Sequence, residues 1–323
     1  MILRKIKDAL GHWRDTSEFG ASVFKTIRIV ALKFLQFIPD RPYAKLFYRI
    51  YTGHQLHLDH PVHFNEKLWW LKLNNRDPLL TTCSDKHLAR KYVAECGFPD
   101  ILIPQLDVFM TADELDFGKY DCPVVAKCNK DSGGLVFYDP AHQDGFNAKA
   151  ARRKLNTALK TKYHLVSREW NYKDIPPRIV VEKVIRDQAG NLPSDYRFFC
   201  FDGEPRFLMM DFGVMTNEGH HKFEFPRNIY DMDFRLMPVR FGRDNYTGPV
   251  EKPRNFERMK EIARKLSQPF PMVRVDLYNL DGHIYFGEMT FYHGGCCQEI
   301  TPEEWDLKFA SWIDLDSPKI VRR

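Results

Sequence analysis

The chain lacks most of the marks of a specialised protein class. Its seven cysteines (Cys83, Cys96, Cys122, Cys128, Cys200, Cys296 and Cys297) are odd in number and contain no C-x-x-C pair. That pattern excludes a disulfide framework and a zinc ribbon, and points to reduced thiols in a cytoplasmic protein. No apolar stretch reaches the ~20 residues needed to span a bilayer. The most apolar run, Ile27 to Ile38, is broken by Arg28 and Lys33. The basic N-terminus is followed by Asp8, His12, Arg14, Asp15 and Glu18 in place of the apolar core of a signal peptide. There is no internal repeat and no linker of biased composition. What is present is 44% apolar and 14% aromatic residues over 323 positions, enough for a sizeable core and about two domains.

The net charge is +5, and residues 1–38 hold seven basic side chains against three acidic ones. The rest of the chain is nearly neutral, which argues against nucleic acid as a partner. The basic arm has two readings. Residues 23–38 form an amphipathic helix on an anionic membrane surface, or a helix packed on the body with its charges solvated.

Apolar spacing predicts helix over 42–80, with Asn65 as an N-cap, and a second helix over 82–96 capped by Thr82 or Ser84. Strands are expected at Ile101 to Val108, Pro123 to Ala126 and Leu135 to Tyr138. A basic helix over 147–164 comes next. Further strands are expected at Arg178 to Ile185, Tyr196 to Phe201 and Phe207 to Met210, with Asp202-Gly203 as a hairpin turn. Residues 213–250 read as a long loop with short elements. A helix over 255–267, strands at Val273 to Tyr278 and Ile284 to Thr290, and a helix over 302–312 complete an α+β pattern.

Four places carry chemistry. Lys127 leaves a strand just before Ser132-Gly133-Gly134: a cation and open backbone for a phosphate, or simply a turn. It is not the GxxxxGK[ST] phosphate loop. Glu182 and Lys183 interrupt an apolar strand, either as paired or ligand-binding charges or on an edge. Arg274 and Asp276 share one face of a strand, and the next strand returns Glu288 beside them. Two neighbouring carboxylates call for a cation, and an oxygen-only set suits Mg²⁺ with substrate phosphates. A cross-strand salt-bridge cluster is the alternative. Fourth, Asp85-Lys86 precedes Arg90 at a helix start. His54, His57, His60 and His63 lack zinc-ligand spacing. Cys296 and Cys297 follow Gly294-Gly295 with no base legible beside them.

In order and spacing, these motifs resemble the ATP-grasp superfamily, and D-alanine–D-alanine ligase-like enzymes within it. The blocks Phe64-Asn65-Glu66-Lys67-Leu68, Arg168-Glu169-Trp170 and Asp195 to Gly203 are similar to the TupA-like ATP-grasp family of bacterial surface-polysaccharide loci, over roughly residues 45–310. The resemblance implies an ATP-grasp fold behind a helical, basic extension. Its units are an extension over 1–40, an N-terminal subdomain over 41–118, a lid over 119–180 and a C-terminal subdomain over 181–323.

The resemblance also implies ATP and Mg²⁺ as cofactors. Arg90 and Lys127 would hold phosphates under Gly133 and Gly134. Glu182, Lys183 and Val184 would meet adenine, and Asp195 the ribose. Asp276, Glu288 and Thr290 would hold metal, and Arg274 would stabilise the transferring group. Arg90 stands where relatives often have lysine, and Thr290 where they usually have asparagine. The implied reaction is carboxylate–amine ligation through an acylphosphate. The implied substrates are a uronic-acid carboxylate of a surface polysaccharide and an amino acid or small amine, handled in the cytoplasm at the inner face of the membrane. His220, His221, Lys222 and Arg227 are candidate sugar contacts. The alternatives are a glycosyltransferase of the same pathway and an inactive nucleotide-binding scaffold.

Overall fold

The computed structural model describes residues 37–131, 134–187, 190–214 and 224–322. The expected basic extension, with its membrane reading, falls almost wholly outside these residues. Among the described residues no helix is long and apolar enough to cross a membrane.

The predicted helix over 42–80 is three helices. These are α1 (Asp40–Thr52), α2 (Phe64–Asn74) and α3 (Pro78–Ser84). Gly53, at φ 85°, ends α1, as a left-handed C-cap does. α2 starts at Phe64, so Asn65 lies inside it rather than capping it. Glu66 folds back to accept the backbone N–H groups of Val62 and His63, satisfying donors that a helix start leaves open. Thr82 and Ser84 belong to α3, and α4 (Ala89–Glu95) begins only after Asp85.

Two sheets follow. β1 (Gln105–Phe109), β2 (Val124–Cys128), β3 (Leu135–Tyr138) and β4 (Ile179–Lys183) form an antiparallel sheet in the order β1-β4-β2-β3. Its apolar face packs under α5 (Ala148–Lys160), with Leu155 and Ala158 buried. α6 (Tyr163–Ser167) then leads into a turn at Trp170–Tyr172. The second sheet runs β10-β9-β5-β6-β7, all antiparallel. Its strands are β5 (Ser194–Phe201), β6 (Glu204–Asp211), β7 (Arg227–Tyr230), β9 (Met272–Leu280) and β10 (His283–Thr290). β8 (Arg240–Phe241) pairs with β11 (Ile300–Thr301), while α7 (Phe256–Ser267) and α8 (Glu303–Ser311) cover the second sheet.

The β5–β6 hairpin turns on Asp202 (φ 54°) and Gly203 (φ 89°), the twist-matched geometry that a two-residue turn requires. A Cβ on Gly203 would sit 3.2 Å from the Gln268 backbone.

The described residues bury two cores. The first sheet takes β1 from before residue 119 and runs past 180, because Gln105 to Phe109 pair with Glu182 to Ile179. Among the described residues, the N-terminal helices share the core of the second sheet. Phe64 packs its ring against Phe199, Phe201, Phe241 and Phe309, so α2 closes the core of the second sheet. Fully burying such a ring contributes roughly 1.5–3 kcal/mol.

Candidate nucleotide and ligation site

One end of the site is a turn. Asn129 follows β2, and its amide donates to Asp85 Oδ1 at 2.9 Å and to the Pro176 carbonyl, while its Oδ1 accepts from Arg178 N–H. Asp85 is fully buried and also accepts the His87 N–H. This pin ties the segment before α4 to the turn after β2. Lys86 then reaches the Asp131 carbonyl at 3.0 Å. A Cβ on Gly134 would meet Ala158 Cβ at 2.5 Å and Asp131 Oδ2 at 2.7 Å, so the turn lies directly on α5. Gly133 lies outside the described residues.

Two cations meet one acid on β4. Lys127 Nζ lies 2.6 Å from Glu182 Oε2, and Arg90 Nη1 lies 3.6 Å from Oε1. Glu182 is 7% exposed by side chain, Arg90 20% and Lys127 21%. The buried acid therefore holds two cations that are themselves part-exposed. Lys183 is exposed beside it, and Val184 donates its N–H to Pro123.

The other end is built on the second sheet. A bulge at Gly287 shifts the register of β10 so that Glu288 pairs with Asp276, which pairs in turn with Arg197 on β5. Arg274 grips Asp276 with two bonds, Nε to Oδ1 at 2.7 Å and Nη2 to Oδ2 at 2.5 Å. Its Nη2 also reaches Glu288 Oε1 at 3.1 Å, and Thr290 donates its hydroxyl to that same oxygen at 3.1 Å.

Arg274 Nη1 sits 2.6 Å from His293 Nδ1. Guanidinium can only donate, so Nδ1 accepts and the ring proton is on Nε2, which donates to Gln298 Oε1 at 2.9 Å. Burial and three neighbouring arginines hold His293 well below the ordinary histidine range, consistent with that neutral tautomer. Gln298 Oε1 also accepts from Arg227 Nη1 at 2.7 Å. Arg227 and Arg197 share Asp211, and Arg197 also binds Asp195 at 2.8 Å. Burial pushes Asp276 up to about 7 against the pull of Arg274. Glu288 keeps a carboxylate held below its ordinary range: burial works to raise it, and Lys86 and Arg274 outweigh that.

A family model described as TupA-like ATPgrasp matches residues 66–313. The chain belongs to the TupA-like ATP-grasp family. None of the curated proteins compared with it matches. Among solved structures it is similar to an N5-carboxyaminoimidazole ribonucleotide synthetase in complex with ADP (15% identity, TM-score 0.37), covering 66% of this chain and 45% of that one. It is also similar to D-alanine–D-alanine ligase from Bacillus anthracis complexed with ATP (15% identity, TM-score 0.37), over 73% of this chain and 65% of that one. A third similarity is to D-alanine–D-alanine ligase from Helicobacter pylori (12% identity, TM-score 0.41), over 80% of this chain and 68% of that one. The chain thus spans less than half of the first of these and about two-thirds of the other two.

Within this ATP-grasp chain the structure groups Arg90, Lys127, Glu182 and Lys183 at the first sheet, and Asp195, Arg274, Asp276, Glu288 and Thr290 at the second. His220, His221 and Lys222 lie outside the described residues. Arg227 is 3% exposed and engaged by Asp211, Gln298 and the Phe241 carbonyl, so it supports the network from within instead of offering itself to a sugar.

Sequence reading singled out Lys86 beside Asp85 but missed Arg197, Asp211, His293 and Gln298. Arg197 stands in Tyr196-Arg197-Phe198-Phe199, and a charge inside such a strand was the available signal. Asp231, in Asp231-Met232-Asp233, uses its Oδ1 to accept the Asp233 and Arg235 N–H groups, a local turn. Burial pushes Cys296 up to about 12, which leaves it a neutral thiol.

The donor type suits a hard cation: Asp276, Glu288 and Thr290 offer only oxygen, and the Glu288 side chain is 46% exposed. Both Asp276 oxygens, however, accept from Arg274 and would have to be released to the cation. No cluster of three or more metal-ligating side chains occurs among the described residues. Mg²⁺ suits two carboxylates completed by phosphate oxygens.

Proposed function

We propose that the protein is an ATP-dependent carboxylate–amine ligase acting on a uronic-acid carboxylate of a bacterial surface polysaccharide, with an amino acid or small amine as nucleophile. The observation that carries the reading is the cross-strand pair Asp276–Glu288 with Arg274 held against both, together with the two cations on Glu182 in the first sheet. Family membership over residues 66–313 supports the ligase chemistry. The polysaccharide substrate rests on the family resemblance alone.

A carboxylate oxygen attacks the γ-phosphorus of ATP, the bond to the ADP oxygen breaks, and an acylphosphate forms. The amine nitrogen then attacks the acyl carbon, the carbon–oxygen bond to phosphate breaks, and the nitrogen loses a proton. Lys127 and Arg90 exchange Glu182 for the α- and β-phosphates. Glu182 and the backbone at Val184 face adenine, and Asp195 the ribose. Asp276 and Glu288, with Thr290, would hold Mg²⁺, which supplies neutralisation of phosphate charge when bound. Arg274 stabilises charge on the transferring group, a contact of a kind that removal costs ~10²–10³ in rate. Residues 1–40 bring the enzyme to the inner face of the membrane.

The test incubates the protein with ATP, Mg²⁺, uronate oligosaccharides and a pool of amines. Mass spectrometry should find a coupled product lighter than its parts by one water. Addition of a sugar mass from a sugar nucleotide would replace the ligase reading with a transferase.

A further inference from the structure

A chain of hydrogen bonds beside the second sheet has its polarity fixed from one end to the other. It starts at Arg227, which Asp211 holds through Nε and Nη2. Arg227 Nη1 donates to the Phe241 carbonyl at 3.0 Å and to the Gln298 side chain at 2.7 Å. Guanidinium has no acceptor, so the Gln298 atom it meets is the amide oxygen. That oxygen also receives His293 Nε2 at 2.9 Å, so Nε2 carries the ring proton. Nδ1 is then left to accept Arg274 Nη1 at 2.6 Å. Each bond leaves the next group one orientation.

Packing holds the middle of the chain. Asn65 on α2 donates its side-chain amide to the Gln298 carbonyl at 2.7 Å. A Cβ on Gly294 would lie 2.6 Å from Gln298 Cγ and Cδ, so that position is bare where the Gln298 side chain passes. The His293 ring meets Phe199 at 5.1 Å and Phe241 at 5.3 Å, both near perpendicular. His293, Arg227 and Arg274 are each less than a tenth exposed.

The chain ends on the donor that matters for the reaction. A guanidinium has five N–H groups in a rigid, planar fork. Arg274 places Nε–H on Asp276 Oδ1, its two Nη2 hydrogens on Asp276 Oδ2 and Glu288 Oε1, and one Nη1 hydrogen on His293. The N–H left over is the second one on Nη1, which has no acceptor among the described residues. Because the fork is rigid, the His293 contact sets where that N–H points. His293 is also the neutral partner of Arg274. When Asp276 and Glu288 turn to a cation, the bond to His293 is the one that stays.

We propose that His293 and Gln298 are positioning residues of the ligation site, which fix the Arg274 guanidinium so that its open Nη1–H meets the transferring phosphoryl group. Arg227 and Asn65 anchor them, which gives Asn65 of the Phe64 to Leu68 block and the bare Gly294 a part in the chemistry. This deepens the ligase reading and rests on it for the reaction at Arg274.

The test follows ADP formation by the full chain with ATP, Mg²⁺, uronate oligosaccharides and a pool of amines. His293→Leu should lower kcat ~10²-fold with KM for ATP unchanged, the size expected of a misplaced group. His293→Asn, whose Oδ1 can accept Arg274 where Nδ1 did, should recover most of that loss. Gln298→Met keeps the length without the acceptor and should lower kcat about tenfold, the loss of one hydrogen bond. Gln298→Glu keeps the accepting oxygen and should retain more activity than the Met variant. A role in packing alone predicts the reverse order, since a thioether fills the space without adding a charge. A second readout needs no turnover. Nitrogen-15 NMR of the histidine-labelled protein, with His293 assigned by its loss in His293→Asn, should show a protonated Nε2 and a bare Nδ1. A proton on Nδ1, unchanged kcat in His293→Leu, or Gln298→Met as active as Gln298→Glu would overturn the proposal. The expected ring tautomer in a wild type that forms no ADP with any carboxylate–amine pair would sink the ligase reading and leave the His293–Arg274 arrangement standing.

Discussion

The two ends of the site solve the same electrostatic problem differently. At the first sheet a single buried acid, Glu182, holds two part-exposed cations, Arg90 and Lys127. At the second sheet three arginines and four carboxylates interlock: Arg197, Arg227 and Arg274 with Asp195, Asp211, Asp276 and Glu288. The first arrangement can hand its cations to a phosphate, because Glu182 keeps them in place without using all their donors. The second is fixed by mutual bonds, and the Glu288 side chain at its edge is 46% exposed. Positions that must exchange partners are lightly held, and positions that must aim charge are over-determined.

This contrast is broken most severely at its rigid end. Arg274→Ala leaves Asp276 buried with only Arg197 near it, at 3.7 Å, and thermal or denaturant unfolding should report a loss of ~3–5 kcal/mol. Lys127→Ala is the control: its side chain is less buried, so its unfolding midpoint should move far less while its KM for ATP rises. Next, Glu288→Gln should cut ADP formation by ~10²–10³ with the circular dichroism spectrum unchanged. Retained ADP formation would remove Glu288 from the metal set.

A smaller effect sharpens the role of the turn. Gly134→Ala drives a methyl against Ala158 Cβ, and overpacking of this kind costs ~1–3 kcal/mol. Adding Ala158→Gly should recover much of the melting temperature. Failure of that rescue would mean Gly134 is required for its backbone and not for its packing.

The smallest effect concerns Glu169, which is buried. Burial pushes its carboxyl up to about 7 from an ordinary 4.5, against Lys72. The folded state then binds more protons than the unfolded one between those values, so this residue lowers stability as pH rises through that window. Glutamine has no such dependence. The melting temperature of Glu169→Gln minus that of the wild type should therefore increase from about pH 5 to about pH 8. A flat difference would show that the carboxyl titrates normally.

The legibility of the sequence followed the range of each interaction. β5, β6, β9 and β10 were visible because alternation and the turns at Asp202-Gly203 and Asn279 to Gly282 are local signals. β7 and β8 were hidden in the polar 213–250 segment because their residues are fixed by tertiary partners: Arg227 by Asp211, and Phe241 by the rings around Phe64. The single helix expected over 42–80 failed because apolar spacing continues across a break that Gly53 and the Glu66 turn impose. Within the site, Arg274, Asp276 and Glu288 were legible from strand alternation, although the Gly287 bulge that aligns Glu288 with Asp276 was not. His293, Gln298 and Asp211 carry no local mark, since each matters only through a residue distant in the chain.

The central claim is that a carboxylate is activated by phosphoryl transfer from ATP. A glycan substrate labelled with oxygen-18 in its carboxylate tests it directly in a complete reaction with Mg²⁺, ATP and amine. An acylphosphate mechanism predicts one labelled oxygen in the released inorganic phosphate. Product formed with unlabelled phosphate would contradict it.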